Sequence, residues 1–388
     1  MKNIKLLNNV SDVWREVIDE NEYCLSSEAE NPEAIIVRSA DMHEYEVEPT
    51  VCAVGRAGVG VNNIPLDKFA EKGIMVFNTP GANANAVKEL VLAGLLLASR
   101  DIAGGIAWAN GLKGSEGIEA AVEKGKKAFV GPELSGKTLG VIGLGAVGLL
   151  VANAASALGM NVLGYDPYIS VDNAWKLSRA VKHAKSEQEV IENADYLTVH
   201  VPLTDETRGK FNLALLRTMK KGASLLNFAR GELAVYDDII TALDEGILRS
   251  YVCDFPTEKL LGVPGVVCIP HLGASTPESE DNCVRMVASE IDAYLKTGTV
   301  SHSVNFPDLD PGAVTYPRLI VLHKNIPNVV SSITSRISER HINIESMLDK
   351  SRGPHAITVL DIDTAPTDGL IREINALESV YAVRVLGV

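Results

Sequence analysis

The sequence has no hydrophobic run long enough to cross a bilayer. Its most apolar stretch, LVLAGLLLAS at 90–99, is ten residues long, about half of what a transmembrane helix needs. The N-terminal segment MKNIKLLNNVSD has too short an apolar part for a secretory signal. We therefore expect a soluble, cytoplasmic protein.

Cysteine is scarce, and its spacing argues against a disulfide framework. The chain has five cysteines and no CxxC pair. An odd number of scattered thiols favours reduced, packed side chains, as in the cytoplasm. We expect no metal site.

Positive charge is too sparse for a nucleic-acid or membrane partner. The 36 Lys and Arg are outnumbered by 50 Asp and Glu, for a net charge of −14, and no basic stripe is present to bind a polyanion. An anionic ligand must therefore be held by a few local arginines. With 388 residues, 46% of them hydrophobic, the chain is globular and long enough for two or three domains.

What the sequence does contain is an alternation of β-rich runs and helical patterns, which predicts parallel sheets covered by helices on both faces. Strands are predicted at 34–38, 51–55, 138–143, 161–165, 196–201, 223–228, 250–253 and 265–269. Helices are predicted at 84–100, 146–158, 187–193, 211–219, 236–245 and 277–296.

The segment GVIGLGAVG at 140–148 lies well into the chain, so one α/β unit precedes the dinucleotide-type fold. We predict a doubly wound parallel-sheet domain at about 97–285, inserted into a smaller α/β domain made of 1–96 and about 286–305. Clefts between two such domains are usual small-molecule sites. After the proline-bearing stretch 305–317, a βαββαβ order over 317–388 predicts a separate ferredoxin-like domain.

GLGAVG has the GxGxxG spacing directly after a predicted strand and directly before a helix. Gly143 permits the tight turn, Gly145 lets the backbone approach a pyrophosphate, and Gly148 lets the helix pack against the strand. The next strand ends in GYDP, where Asp166 would accept from the ribose hydroxyls and repel a 2′-phosphate. This order favours NAD over NADP.

The later strand runs each end in a polar or chargeable side chain at the edge where ligands bind in open parallel sheets. These are Thr204, Arg230, Asp254 with Glu258, and His271. Any one of them could be a solvated loop residue, and His271 taken alone could be a histidine whose hydrogen bonds are made within its turn. Together they suit hydride transfer.

The proposed roles follow from side-chain chemistry. His271 takes the hydroxyl proton of an alcohol as the base, and Glu258 orients the imidazole. Arg230 holds a carboxylate or the developing carbonyl oxygen. Gly273 and Ala274 leave room for the nicotinamide.

The expected local arginines are Arg38 in VRSA and Arg56 in VGRAGVGVNN, at the ends of early strands. A pair of arginines with glycine-rich backbone suits a phosphate or carboxylate. The alternative is surface salt bridging.

The motifs GRAGVGVNN, NTPGANANAVKEL, GKTLGVIGLGAVG, GYDP, NFARGE and PHLGAST resemble the D-3-phosphoglycerate dehydrogenases, within the D-2-hydroxyacid dehydrogenases. The resemblance implies NAD-dependent oxidation of 3-phosphoglycerate to 3-phosphohydroxypyruvate, the entry to serine synthesis, by homo-oligomers such as dimers or tetramers. It implies that Arg230, Glu258 and His271 are catalytic. The implied NAD contacts are Gly143, Gly145, Ala146, Val147, Gly148, Asp166, Val201, Pro202, Thr204, Phe228, Ala229, Arg230, Asp254, His271, Gly273 and Ala274. The implied substrate contacts are Arg38, Ser39, Arg56 and Gly58. The segment DFPTEK is one residue shorter than the family pattern and lacks its usual proline after the glutamate.

The C-terminal module resembles an ACT domain. HKNIPNVV and HINIES match the segments that bind serine in some relatives, with His323, Asn325 and Asn343 at the effector positions and Asn328 where a glycine often stands. The module would be an allosteric serine site, or else only an assembly device.

Two other functions stay open. One is a reductase for hydroxypyruvate or another 2-hydroxyacid, which the two arginines and the C-terminal module disfavour. The other is a non-catalytic NAD-sensing corepressor, which the arginine, glutamate and histidine together disfavour.

Overall fold

The computed structural model describes residues 2–8 and 10–387. The chain forms two compact units, one made of Met1–Ala82 with Glu280–Val388 and the other of Asn83–Ser279. The domain limits given above from the sequence stay predictions.

The first unit begins with a five-stranded, all-parallel sheet. Its strands are β1 (Lys2–Leu7), β2 (Tyr23–Ser26), β3 (Ala34–Val37), β4 (Ala53–Arg56) and β5 (Met75–Phe77), in the order β2-β1-β3-β4-β5, with helix α1 at Leu66–Glu71 and a 3₁₀ turn at Asp12–Glu16. The predicted strands β3 and β4 are confirmed. β1, β2 and β5 were not predicted, because β1 and β2 mix polar with apolar residues and β5 is only three residues long.

The second unit is built on a seven-stranded parallel sheet, which confirms the predicted doubly wound fold. Its strands are β6 (Thr138–Ile142), β7 (Asn161–Tyr165), β8 (Lys182–His183), β9 (Tyr196–Val199), β10 (Ala223–Asn227), β11 (Leu248–Cys253) and β12 (Val266–Cys268). The order is β12-β11-β10-β9-β6-β7-β8. The chain runs outward in both directions from β6, so the topological switch point where such sheets bind ligands lies between β6 and β9.

The helices of this unit are α2 (Ala84–Ser99), α3 (Ile102–Gly111), α4 (Ile118–Gly125), α5 (Ala146–Ala157), α6 (Val171–Lys176), α7 (Glu187–Asn193), α8 (Leu213–Leu216) and α9 (Tyr236–Asp244), with 3₁₀ turns at Lys126–Phe129 and Gly231–Leu233. Of these, α2, α5, α7 and α9 pack against strands of the sheet, whereas α3 and α4 have no buried residue. Within the described residues no single helix meets the length and hydropathy needed to span a bilayer; only α2 and α3 taken together would, and they are bent by 68°.

Helix α10 (Pro277–Thr297) leads back into the first unit, which continues with a four-stranded antiparallel sheet. Its elements are β13 (Arg318–Lys324), α11 (Val329–Ser338), β14 (Ile344–Arg352), β15 (His355–Ile362), α12 (Asp368–Asn375) and β16 (Val380–Leu386). The order β14-β15-β13-β16 confirms the predicted ferredoxin-like topology.

The two inner strands of this C-terminal sheet, β13 and β15, are buried on both faces. One face, with Leu319 and Val321, packs under α11 and α12. The alternate residues of β13, Ile320 and Leu322, belong to a core shared with Tyr294 of α10 and the N-terminal sheet. Because strand side chains alternate between faces, a single strand joins both cores.

The stretch 305–317, predicted as a linker, contains no helix or strand but is firmly packed. Phe306 and Leu309 are buried in the shared core. The fully buried Arg318 donates to both carboxylate oxygens of Asp361, at 2.6 and 2.8 Å, and to the carbonyls of Thr297 and Gly312 at 2.7 and 2.8 Å. These bonds tie the end of α10, the proline-bearing stretch and the C-terminal sheet together.

Candidate functional site

One row of register partners crosses the seven-stranded sheet at its carboxyl edge. From strand to strand it consists of Cys268, Cys253, Asn227, Val199, Ile142 and Tyr165. Every predicted catalytic or cofactor residue of this unit follows a member of the row within six positions. The sheet thus brings all these segments to one edge.

The glycine fingerprint has the geometry of a phosphate cradle. Gly143 has φ +88°, and a Cβ there would lie 2.6 Å from the carbonyl oxygen of His200. A Cβ on Gly148 would collide with the carbonyl of Gly143, whereas Gly145 faces open space. Helix α5 starts at Ala146, and no side chain caps its first N–H groups. A pyrophosphate fits there, since it would accept from these free donors.

Asp166 stabilises the fingerprint turn and can still accept hydrogen bonds from a ligand. Its two carboxylate oxygens accept from the backbone N–H groups of Leu144 and Tyr168, each at 2.8 Å. Each oxygen retains a lone pair for a ribose hydroxyl. Val147 lies half-buried in the first turn of α5, and Val201 lies beside Gly143.

The loop after β9 is closed by a threonine that the sequence reasoning missed. Thr207 Oγ1 donates to the carbonyl of Pro202 at 2.7 Å and accepts from the N–H of Thr204 at 2.8 Å. The PLTDET segment contains the signal, because a threonine three residues after another can form this turn.

Asn227, also missed, shapes the loop that carries Arg230. Its buried amide donates to the Arg230 carbonyl at 2.8 Å and accepts from the N–H of Ala229 at 3.2 Å. The Arg230 guanidinium is exposed and donates to the Ala229 carbonyl at 2.7 Å. The Phe228 ring is buried and packs closely against Gly94 of α2, where a Cβ would touch it. Only the backbone of Phe228 is therefore available to a ligand.

Asp254 holds the loop after His271. Its buried carboxylate accepts from the N–H groups of Leu272 and Gly273, both at 2.8 Å. His271 has φ +53°, an uncommon backbone conformation for a residue other than glycine. The loop bonds to Asp254 stabilise this conformation, and Ala274 follows it, exposed.

Among the residues that the structure describes, the imidazole of His271 makes no hydrogen bond, and neither does the exposed carboxylate of Glu258. The ring beside His271 is Phe255, with centroids 5.3 Å apart and an edge-to-face angle of 63°. The sheet therefore places Arg230, Glu258 and His271 after neighbouring strands without joining the carboxylate to the imidazole.

Two thiols sit in the same row. Cys253 and Cys268 are register partners with sulfurs 3.9 Å apart, and both are free. Burial raises the pKa of Cys253 to about 12 and also raises that of Cys268. Nearby, burial lowers the pKa of His200 to about 4. These groups stay neutral near pH 7 and serve the packing of the sheet edge.

In the first unit, two arginines lie at adjacent strand ends. Arg56 ends β4 as the register partner of Val37, so Arg38 lies one residue beyond that pair. Arg38 forms an ion pair with Glu280. Burial, and then the charge of Arg38, lower the pKa of Arg56. Within the described chain Arg56 has no ion-pair partner, and its Nε–H is buried without an acceptor.

The loop after Arg56 is shaped around the guanidinium. Gly58 has φ +144°, and a Cβ there would collide with the Arg56 side chain. Asn78, missed in the sequence, donates from its side chain to the Val59 carbonyl at 2.7 Å. Ser39 accepts from the side chain of Asn8 at 2.7 Å.

The predicted effector residues are not brought together within one chain. His323 is buried, with its two ring nitrogens 2.9 Å from the Lys324 carbonyl and 2.8 Å from Thr358 Oγ1. Asn325 follows the end of β13 that pairs with His355, whereas Asn343 precedes the end of β14 that pairs with Ile362. At about 3.4 Å per residue, these two ends are roughly 24 Å apart.

Comparison with known proteins identifies the same region. Residues 95–273 match the family described as D-isomer specific 2-hydroxyacid dehydrogenase, NAD binding domain. The chain is similar to a D-3-phosphoglycerate dehydrogenase of Haemophilus influenzae, at 30% identity over 356 residues, covering 88% of this chain and 82% of that one.

Two further proteins are similar to this chain. A D-3-phosphoglycerate dehydrogenase of Methanocaldococcus jannaschii is 38% identical over 265 residues, 66% of this chain, and this chain spans only about half (48%) of it. A crystal structure of NAD⁺-bound 3-phosphoglycerate dehydrogenase from Entamoeba histolytica matches with TM-score 0.58 and 26% identity, over 79% of this chain and 99% of the other.

Proposed function

The chain belongs to the D-isomer specific 2-hydroxyacid dehydrogenase family, and we propose that it is an NAD-dependent D-3-phosphoglycerate dehydrogenase. It would oxidise 3-phospho-D-glycerate to 3-phosphohydroxypyruvate, the first step of L-serine biosynthesis. The observation that carries the proposal is the register row, which sets the glycine cradle, Arg230 and His271 along one sheet edge.

Residues 95–273 are the NAD-binding domain of the family. The open space at Gly145 and the uncapped start of α5 suit the pyrophosphate, and Asp166 suits the adenosine ribose. Bound NAD would supply the nicotinamide ring that accepts the hydride.

The chain's own residues handle the proton and the charge. His271 would take the hydroxyl proton as the C2 hydride leaves, because its imidazole is exposed and carries no competing hydrogen bond among the described residues. Arg230 would hold the substrate carboxylate and the developing carbonyl oxygen. Glu258 would orient His271, a role that requires the segment 255–258 to move its carboxylate to the ring.

Arg56 would bind the substrate phosphate, with Arg38, Ser39 and Gly58 beside it. It is the half-buried arginine at this sheet end that lacks an ion-pair partner in the described chain, whereas Arg38 already binds Glu280. An unneutralised, partly buried guanidinium favours an anionic ligand because the ligand restores the charge balance.

Turnover tests the proposal directly. Purified protein with NAD and 3-phosphoglycerate should produce NADH, and a hydrazine trap for the keto product should increase the yield. D-glycerate, which lacks the phosphate, is the matched control and should react much more slowly. Equal rates with both substrates would favour a general 2-hydroxyacid dehydrogenase, and NAD binding without turnover of either would contradict an enzymatic function.

We also propose that the protein is a cytoplasmic homo-oligomer in which serine binds between two copies. Strand β14 is an edge strand and largely exposed. Antiparallel pairing of two such edges would set Asn343 of a second copy near Asn325 of the first, which is how the separated effector residues could form one site. Millimolar L-serine should lower the rate, and Asn325→Ala and Asn343→Ala should each abolish this inhibition. An unchanged rate would leave the module as an assembly device.

A further inference from the structure

A cavity of about 290 Å³ lies between α10 and the segment that follows it, within the first unit. One wall is a face of α10 that presents Met286, Glu290 and Ala293. The other wall is the segment after α10, with Ser301 and His302. None of these residues has a part in the dehydrogenase chemistry proposed above.

Glu290, which lines the cavity, has a buried carboxylate with a hydrogen-bond partner in the described chain for only one of its two oxygens. Glu290 is 7% exposed, and its Oε1 lies 2.7 Å from Nδ1 of His302. Its Oε2 is buried and has no hydrogen-bond partner among the described residues. His302 adopts φ +57°, so the backbone holds an uncommon conformation that brings the imidazole onto this carboxylate.

The titratable groups that face Glu290 are His302, on the segment after α10, and Asp308 beyond it. Burial, and then the charge of Asp308, raise the pKa of Glu290 to about 8. The carboxyl therefore holds a proton at neutral pH, because burial and the charge of Asp308 both disfavour its ionised form.

We propose that this cavity binds a small molecule through a primary ammonium group, which donates to the free oxygen of Glu290. Hydroxyl groups of Ser289, Thr299 and Ser301 line the cavity and suit a ligand that also carries a hydroxyl. The nearby C-terminal end of α10 adds partial negative charge, which favours a cation further.

Other ligand classes fit less well. An anion would face both Glu290 and Asp308, without an arginine or lysine lining the cavity. A divalent metal would need more ligands than one carboxylate and one imidazole in direct contact, and in the described part of the chain no group of three His, Cys, Asp or Glu could hold one.

Ethanolamine is the probe, and its binding to the full chain can be measured by calorimetry without any turnover. This inference is thus independent of the proposed function. Ethanolamine should bind once per chain, whereas ethylene glycol, which lacks the ammonium, should not. Absence of binding at about 10 mM ethanolamine, roughly ten times a millimolar Kd, would overturn the proposal.

Two variants locate the site. Glu290→Gln should weaken ethanolamine binding at least about tenfold, the usual loss for a charge-assisted bond, while Glu44→Gln, the same change on an exposed glutamate, should not. Ala293→Leu should fill the cavity and block binding while leaving the carboxylate in place, which covers the case in which Glu290→Gln folds poorly. Unchanged affinity in both cavity variants would overturn the assignment.

The proton provides a second readout. Since the empty carboxyl is protonated below about pH 8, each ammonium bound at pH 7 should release about one proton. Titrations in buffers of different ionisation enthalpy measure this release, and affinity should rise up to about pH 8 and then level off. Binding at pH 7 without proton release would place the ammonium elsewhere.

Discussion

His271 and His302 share one backbone conformation but have opposite surroundings. Both are histidines at φ near +55° in loops that follow a regular element, and each lies near a buried carboxylate. Asp254 binds the backbone after His271 and leaves the imidazole free. Glu290 binds the imidazole of His302 itself. In these two loops, the imidazole is available for chemistry when the carboxylate bonds to the backbone, and it is occupied when the carboxylate bonds to the ring.

The largest effect should come from removing the free imidazole. His271→Asn should lower kcat by about 10²–10⁴, the usual contribution of a general base, with NADH formation as the measurement. His341→Asn is the matched control, since His341 is also exposed and has φ +56°. Comparable loss in both variants would indicate that the backbone conformation, rather than the imidazole, matters.

The next effect concerns the arginine without a partner. Arg56→Ala should raise KM for 3-phosphoglycerate roughly 10- to 100-fold, through loss of charge-assisted hydrogen bonds, and leave KM for NAD unchanged. Arg38→Ala should raise it less, because Arg38 already binds Glu280. The reverse ranking would assign the phosphate to Arg38.

A smaller effect is expected for the carboxylate that holds the His271 loop. Asp254→Asn keeps one acceptor oxygen for two backbone donors, so the loop should loosen and kcat should fall roughly tenfold. The melting temperature reports whether the fold is intact. A large loss of stability with kcat unchanged would make Asp254 purely structural.

The smallest effect on activity is expected at Glu290, whose substitution should instead change the stability of the protein in a pH-dependent way. Because folding raises the pKa of Glu290 from 4.5 to about 8, the stability that the protonated carboxyl contributes is lost progressively as the pH rises from about 4.5 through 8. Glu290→Gln mimics the protonated form at every pH. It should therefore be close to the wild type in stability near pH 5 and exceed it by roughly 4 kcal/mol near pH 9. Urea unfolding at both pH values measures the free energy of unfolding. An equal difference between variant and wild type at the two pH values would show that titration of Glu290 is not the cause.

Much of the fold could be predicted because its signals are local. The eight strands and six helices expected before the C-terminal module all correspond to observed elements, and the glycine fingerprint marked the crevice. Strands β1, β2, β5 and β8 and helices α1, α3, α4 and α6 were not predicted, since most are short or mixed segments that show no clear period. Asn227, Thr207 and Asn78 escaped because their roles depend on backbone partners that only the folded loops position.

The order of amino acids determined by itself the nucleotide fingerprint, the strand-end residues and the ferredoxin-like topology, since each follows from spacing along the chain. Only the tertiary structure decided which carboxylate contacts which histidine, that Arg56 lacks a counter-ion in the described chain, and that the inner strands of the C-terminal sheet are buried on both faces. These features depend on burial and on contacts between residues far apart in sequence, which local sequence propensities do not encode.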